Sequence, residues 1–495
     1  KPFAGVTVHD VDEQGNQMLQ ANFSYDATRG GILNPNGFAA QGAGSYSITG
    51  TPAAISAALR GVVFAPNTGS RLVPDLTPPP SFEETFFALT VNDTIAPPVL
   101  DTNTSVIALH SLLRQASASN GTKSDPFGLA VGASRDIIAI GAPFHDSNGT
   151  DSGSVYVYAR NWPTAGNWGE VTRLYAPDAT HGALFGDAVS ASGSTIVVGA
   201  PFARSGSAQT QSGAVYVFEA SPPGMTNWQS NVRKLVPSDG AAGDQFGFAV
   251  SISGSYLAVG AHLDDDKGTD SGSVYIFQRD SAGNWVQLSP KLYSSDLRAG
   301  DDFGSAISLG GSTLVVGAPL DDDNGLSSGA AFVFERNSLG QWLQTRKLLP
   351  RTSLGANDGA AGDTFGFAVS VGGDIIAVGS PRDDDGGNDR GSAYVFARDQ
   401  GGAGNWGQVK KLAPLTSLNN DQFGFSIAAS RDFVVVGMPF SGQNNQSRFG
   451  SAYVFDRNQG GAGQWGYLER LDPPGLINGD EFGYSIALDG GTVAV

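Results

Sequence analysis

The chain of 495 residues contains no cysteine, which excludes a disulfide framework and thiolate-bound metal. Charge is also scarce. Only 15% of residues are charged, and 47 acidic against 29 basic side chains leave a net charge of −18. A surface of that sign is unsuited to nucleic acid, whose phosphates need clustered Lys and Arg; it suits cations, basic partners or simple solubility. No run of 18 apolar residues occurs, so nothing reads as a membrane-spanning helix. Catalytic signatures are missing too. The five His (His9, His110, His145, His181, His262) make no HExxH, and neither GxSxG nor GxxxxGK[ST] is present. Carboxylates are plentiful, yet no pair stands apart as a glycosidase-type site would. The chain is therefore not expected to be an enzyme. His145 and His262 lie beside acidic loops and read as surface residues rather than zinc ligands.

Glycine, by contrast, is abundant at 68 residues, with 26 Pro and 40% hydrophobic residues. That combination suits many short strands joined by tight turns, and a core rather than disorder. A Phe-Gly pair recurs at Phe127, Phe185, Phe246, Phe303, Phe365, Phe423 and Phe482, spaced by 58, 61, 57, 62, 58 and 59 residues. A period of this size marks a modular array. Each unit offers four apolar runs, in the third unit FGFAVSI, YLAVGA, SGSVYIF and WVQLSPKL. The fourth run carries a Trp six or seven residues before a Leu, as in Trp285 and Leu292 or Trp406 and Leu412.

Four short antiparallel strands per unit, repeated, describe a β-propeller. Six full units, a strand at 106–115 and two strands after Phe482 give twenty-seven strands where seven blades need twenty-eight. The expected fold is thus all-β, a seven-bladed propeller over 106–495 with its last blade incomplete. The chain reads as a window cut from a longer polypeptide. The repeated Phe are expected as wedges between blades, the repeated Trp as covers of outer strands or of blade interfaces, and the repeated Gly as close-packing or turn residues.

With copies such as Phe246-Gly247 and Gly317-Ala318-Pro319, the array resembles the FG-GAP repeats of the integrin α-subunit head and related bacterial proteins. The resemblance implies a seven-bladed propeller, commonly extracellular, associated with adhesion and with Ca²⁺ in several blades.

Four units carry acidic loops of equal length between their second and third strands: HDSNGTDSG (145–153), DDDKGTDSG (264–272), DDDNGLSSG (321–329) and DDDGGNDRG (383–391). Closely spaced carboxylates followed by Gly are what a hard cation requires. The expected Ca²⁺ ligands are Asp264, Asp266 and Asp270; Asp321 and Asp323; Asp383, Asp385 and Asp389; and, more sparsely, Asp146 and Asp151. Asp244, Asp301, Asp363, Asp421 and Asp480, each just before a Phe-Gly, open on the same rim and are expected to help complete the shells. The second and sixth units have no Asp in this loop and are expected to be empty. The integrin cation loop precedes Gly-Ala-Pro whereas these loops follow it, so family ligand positions do not transfer. The competing reading is a solvated acidic loop whose Asp side chains bond turn amides.

Residues 1–97 do not follow the repeat. Their runs GVTVHDV, GSYSITG, GVVFAP and FFALTVND suit a small β-sandwich, with AAISAALR (53–60) as a helix or turn. Through HDVDEQG (9–15) and TVND (90–93) this part resembles cadherin-like modules of large bacterial surface proteins, which implies Ca²⁺ shared at module ends by Asp10, Asp12, Glu13 and Asp93. Residues 98–105 read as a linker. The functional expectation is an extracellular or cell-surface, Ca²⁺-dependent adhesion or ligand-binding module whose partner is a protein or glycan on a cell or matrix surface. The alternative is a non-catalytic structural, substrate-targeting or carbohydrate-binding propeller attached to an enzyme elsewhere in the polypeptide.

Overall fold

The structure is a computed structural model. It describes residues 19–25, 30–34, 37–42, 45–50, 52–66, 84–92 and 99–107, positions 116, 118 and 119, and residues 126–495 other than 163–167, 205–210, 221–227, 353–354, 443–447, 473–475 and 490–491. The chain divides into two compact units, with the boundary at Arg114 and Gln115.

In the first unit an antiparallel five-stranded sheet has the order Ala39–Gly42, Ser45–Gly50, Leu19–Tyr25, Glu84–Asn92, Val99–Ile107. The helix read at 53–60 is present as Pro52–Gly61. It buries Ile55, Ala58 and Leu59, the one-face spacing of an amphipathic helix, beside the two strands Leu19–Tyr25 and Ser45–Gly50. Gly30–Asn34 pairs with Val63–Pro66 as a separate two-stranded sheet. In the stretch 1–97 read as a β-sandwich, the described residues form these strands and this helix. The linker expected at 98–105 is instead the strand Val99–Ile107, which pairs with Glu84–Asn92. Its Thr and Val content favours a strand, and an edge position tolerates the polar residues that made it read as a linker. The same strand takes residues 106–107 out of the propeller strand expected at 106–115. The rest of that stretch lies outside the described residues, as do Asp10, Asp12, Glu13 and Asp93.

The second unit contains six four-stranded antiparallel sheets in sequence order, over 131–174, 188–235, 249–287, 306–348, 368–412 and 427–471. These are blades 1 to 6 of a β-propeller. A hairpin, Ala487–Asp489 with Thr492–Ala494, follows. The first strands of successive blades lie side by side, and the strand Ala487–Asp489 touches the first strands of blade 6 and blade 1. Among the described residues, six four-stranded blades and this hairpin stand where seven blades were expected. In blade 3 the fourth run is shorter than expected: the strand ends at Gln287, before Pro290, and Leu292 rejoins Val274 through two backbone hydrogen bonds of 3.0 and 2.7 Å.

The repeated Phe behave as wedges. Phe185, Phe246, Phe303, Phe365 and Phe423 are fully buried, each meeting two aromatic rings of its own third strand edge-on, as Phe246 meets Tyr275 and Phe277 at centroid distances of 5.2 and 6.1 Å. Phe127 and Phe482 are half-buried. The wedge is held by the preceding blade. The Phe365 N–H donates to the Ser328 carbonyl at 3.0 Å. A Cβ on Gly329 would lie 2.1 Å from the Phe365 carbonyl oxygen, and one on Gly317 would lie 2.0 Å from the Gly366 carbonyl oxygen. The glycine of Gly-Ala-Pro and the glycine opening the third strand therefore clamp the next Phe-Gly peptide by their lack of a side chain.

Two further sets of bonds join blades. Ser190, Ser251, Ser308 and Ser370 on first strands accept from the backbone N–H of Ile252, Leu309, Val371 and Ala429 in the next blade at 2.9–3.2 Å. Arginines ending third strands reach back one blade: Arg279 to Glu219 at 2.9 Å, Arg398 to Glu335 at 3.3 Å, and Arg457 to both oxygens of Asp374 at 2.8 Å. Gly317→Ala is expected to cost ~3 kcal/mol by overpacking backbone against backbone. Gly340→Ala, at φ +82° with nothing within 4 Å of a Cβ, should cost only ~1 kcal/mol of backbone strain. Urea unfolding of the two variants beside the wild type checks this.

Candidate functional site

Cross-strand neighbours on one face of an antiparallel pair touch. Here the third and fourth strands set an aromatic ring beside a basic residue in every blade: Tyr156 and Arg173, Tyr216 and Lys234, Phe332 and Lys347, Tyr394 and Lys411, Tyr453 and Arg470. In blade 3 the bridge between Val274 and Leu292 puts Tyr275 beside Lys291. The ammonium of Lys291 lies 5.0 Å from the Tyr275 ring centre, that of Lys347 5.0 Å from Phe332, and that of Lys411 5.2 Å from Tyr394.

In blades 3, 4 and 5 that ammonium sits among the acidic side chains. Lys291 Nζ is 2.6 Å from Asp264, 3.0 Å from Asp239 and 3.0 Å from Asp266. Lys347 Nζ is 2.7 Å from Asp321 and 2.8 Å from Asp296, and also pairs with Asp323. Lys411 Nζ is 3.0 Å from Asp383, 3.0 Å from Asp358 and 2.6 Å from Asp385. Burial opposes these charges, but hydrogen bonds to the aspartates hold all three lysines well above the ordinary lysine range. Asp266 is held below its usual value, chiefly by its bond to Lys291.

The structure thus gathers Asp264 with Asp266, Asp321 with Asp323, and Asp383 with Asp385. Asp270, Asp389 and Asp151 stay outside. They sit at φ between +47° and +53° and donate their own N–H to Asp265, Asp384 and Asp146 at 2.8–2.9 Å. The first Asp of each full loop also caps its turn, Asp264, Asp321 and Asp383 accepting from the N–H two residues on at 2.9–3.1 Å. In blade 1, His145 takes that place and accepts from Ser147 N–H at 3.1 Å; in blade 6, Ser441 takes it and bonds Ser451. The surface reading of the two His is overturned. His145 and His262 are both buried, the second stacked on Phe248 at 3.9 Å, hydrogen-bonded to Gln245 at 3.0 Å and paired with Asp302. His145 stands where Asp264, Asp321 and Asp383 stand in the full loops, whereas His262 stands where the other blades have the Pro of Gly-Ala-Pro.

Asp244, Asp301, Asp363 and Asp421 are buried. Each accepts from the N–H three residues before it at 2.6–2.7 Å, so these carboxylates cap the segment between blades. Asp480 caps in the same way at 2.8 Å but is exposed. Burial pushes Asp301 and Asp363 up to about 6.

Two components of the site were missed in the sequence. Asp178, Asp239, Asp296 and Asp358 each stand seven residues before a Phe-Gly, and a Lys or Arg directly precedes the Leu of the Trp-Leu pattern in all six blades. Both signals were readable by aligning the units. Blade 2 lacks loop carboxylates yet keeps the lysine: Lys234 bonds Asp178 at 2.6 Å and the Arg204 carbonyl at 2.9 Å.

The three carboxylates of blade 4 (Asp296, Asp321, Asp323) and of blade 5 (Asp358, Asp383, Asp385) each converge to within 4.8 Å, a spread that a cation could bridge. The point of convergence is held by the lysine ammonium. Calcium takes six to eight oxygens at about 2.3–2.6 Å and does not share its centre with a positive charge, so the residues as arranged do not fit it.

A raised carboxylate pKa has a defined sign. The folded state holds a proton that the unfolded chain has already released, so stability falls as pH rises from ~4 to about 6. Asp301→Asn keeps an oxygen for the Arg298 N–H and removes the buried charge. It should gain ~1–2 kcal/mol on wild type between pH 4 and pH 7, which thermal melts across that range would check.

A protein-family model described as the FG-GAP repeat matches residues 114–158, 168–218, 229–277, 285–334, 342–396 and 406–455. No curated protein matches the chain. Among solved structures, the periplasmic gluconolactonase PpgL of Pseudomonas aeruginosa aligns at 16% identity and a TM-score of 0.43, covering 79% of this chain and 93% of that one. The matched segments take in each of the six blades and more than half of the sequence, and the chain belongs to the FG-GAP repeat family.

Proposed function

We propose that the chain is a non-catalytic ligand-binding module of an exported protein, and that its binding surface is the face formed by the loops after second strands and the segments between blades. The observation that carries this reading is the placement of exposed apolar side chains. Phe144, Phe202 and Leu326 in the loops, with Leu415 and Ile477 between blades, are 36% to 73% exposed on that face. They differ from blade to blade while the clamping glycines and the basic residue recur. Other apolar side chains are exposed elsewhere, Leu339 in a turn between third and fourth strands among them. Those of this rim lie in the segments that vary between units, where a specific partner would be read. The reading is further supported by the use of the repeated polar residues in packing, caps and ion pairs; the Ser147 hydroxyl and His145 Nδ1 meet inside the loop turn that His145 caps.

The partner is a protein or glycan on a cell or matrix surface, and the first unit is a cadherin-like spacer in the same surface protein. The hairpin after Phe482 is the inner half of a seventh blade. In support, a Cβ on Gly450 or Gly437 would meet the Phe482 and Gly483 carbonyls at 2.1 and 2.0 Å, repeating the clamp between complete blades.

The test is binding of the whole chain to a glycan array and to immobilised matrix proteins, beside a variant carrying Leu326→Ser, Leu415→Ser and Ile477→Ser. Binding should fall at least tenfold, since truncating central apolar anchors costs ~2 kcal/mol or more, while the melting temperature holds. Unchanged binding by the variant would move the site to another face.

A further inference from the structure

We infer that in blades 3, 4 and 5 a lysine ammonium takes the place of a divalent cation, so that the acidic loops are closed from within and a calcium site is present only in latent form. The inference starts from donor counting. An ammonium has three N–H donors, and each cluster offers it three carboxylates: Asp239, Asp264 and Asp266 to Lys291; Asp296, Asp321 and Asp323 to Lys347; Asp358, Asp383 and Asp385 to Lys411. Each set draws from two chain segments, the acidic loop and the stretch before the Phe-Gly. The lysine therefore ties together the pieces that a bridging metal would tie.

The ammonium is also not free to step aside. Its head lies over a third-strand ring, with the side chains of Lys291, Lys347 and Lys411 only 5%, 15% and 23% exposed. The oxygens that could complete a metal shell are engaged as well. Asp264, Asp321 and Asp383 accept turn amides, and Asp265 and Asp384 accept from the residues five positions on.

Comparison across blades points the same way. A metal site is defined by its ligands, yet here the ligands vary and the cation is constant. Blade 2 keeps Lys234 with one carboxylate, and blades 1 and 6 keep Arg173 and Arg470, although their loops begin with His145 and Ser441. The arginine heads lie 5.3 and 5.6 Å from the rings of Tyr156 and Tyr453, the place the lysines occupy elsewhere.

The experiment compares the whole chain with Lys347→Met and Lys411→Met variants, melted in EGTA and in millimolar Ca²⁺, with terbium luminescence as the readout of a bound ion. Wild type should melt at the same temperature in both conditions and give no stoichiometric terbium signal. Each variant should melt lower in EGTA, regain several degrees in Ca²⁺ through binding to the native state, and take up one terbium ion. A calcium-raised melting temperature or a stoichiometric terbium signal in wild type would overturn the inference. So would variants that lose no stability in EGTA. If neither variant folds in EGTA, the wild-type pair of measurements decides alone.

Discussion

The propeller depends on one backbone contact. From Phe185 to Phe482, the two carbonyls of each Phe-Gly pair are pressed against two glycines of the unit before, closely enough that a single methyl on Gly317 would stand 2.0 Å from the Gly366 oxygen. The contact fixes the distance between blades and aims the Phe into the core. It also stitches the end of the acidic loop to the next blade, through bonds such as Phe303 N–H to the Ser271 carbonyl. Serine bonds near the axis and arginine bonds on the opposite rim work on a spacing that this contact has already set. The geometry of the loops is thus a consequence of blade packing rather than an independent feature.

Within that frame, charge is balanced locally. A chain of net charge −18 would be expected to crowd repelling carboxylates wherever three Asp stand in a row. The fold avoids this by bringing the fourth strand of each blade behind its acidic loop, so that a lysine some twenty-five residues away in sequence becomes the nearest countercharge. Single residues link loop, strand and interblade segment, and the loops gain a fixed shape from side chains that the chain carries itself.

Much of the architecture was legible in the sequence because the repeat samples it many times. The Phe-Gly spacing, the alternation of apolar runs and the Gly turns identify four-stranded blades, and the buried Phe wedges are where the pattern put them. The acidic site was half legible. Asp264, Asp321 and Asp383 stood out by density, but a density of carboxylates does not reveal what neutralises them. Lys291, Lys347 and Lys411 were hidden because each comes from the fourth run of its blade rather than from the loop, and looks like ordinary surface charge there. His145 and His262 misled for the opposite reason, since an acidic neighbourhood suggests solvent while ring stacking and hydrogen bonds bury them. The strand Val99–Ile107 was missed because sheet-edge residues can be as polar as a linker.

The clamp on the Phe-Gly peptide recurs from Phe185 to Phe482, but Phe127-Gly128 differs. A Cβ on Gly128 would meet nothing within 4 Å, whereas the join of the hairpin to blade 1 runs through side chains, Arg135 N–H to Asp489 and Arg160 to Thr492. Where the clamp is present, each blade is positioned by the backbone of the blade before it, so a shift in one blade passes to the next through peptide groups that cannot change rotamer.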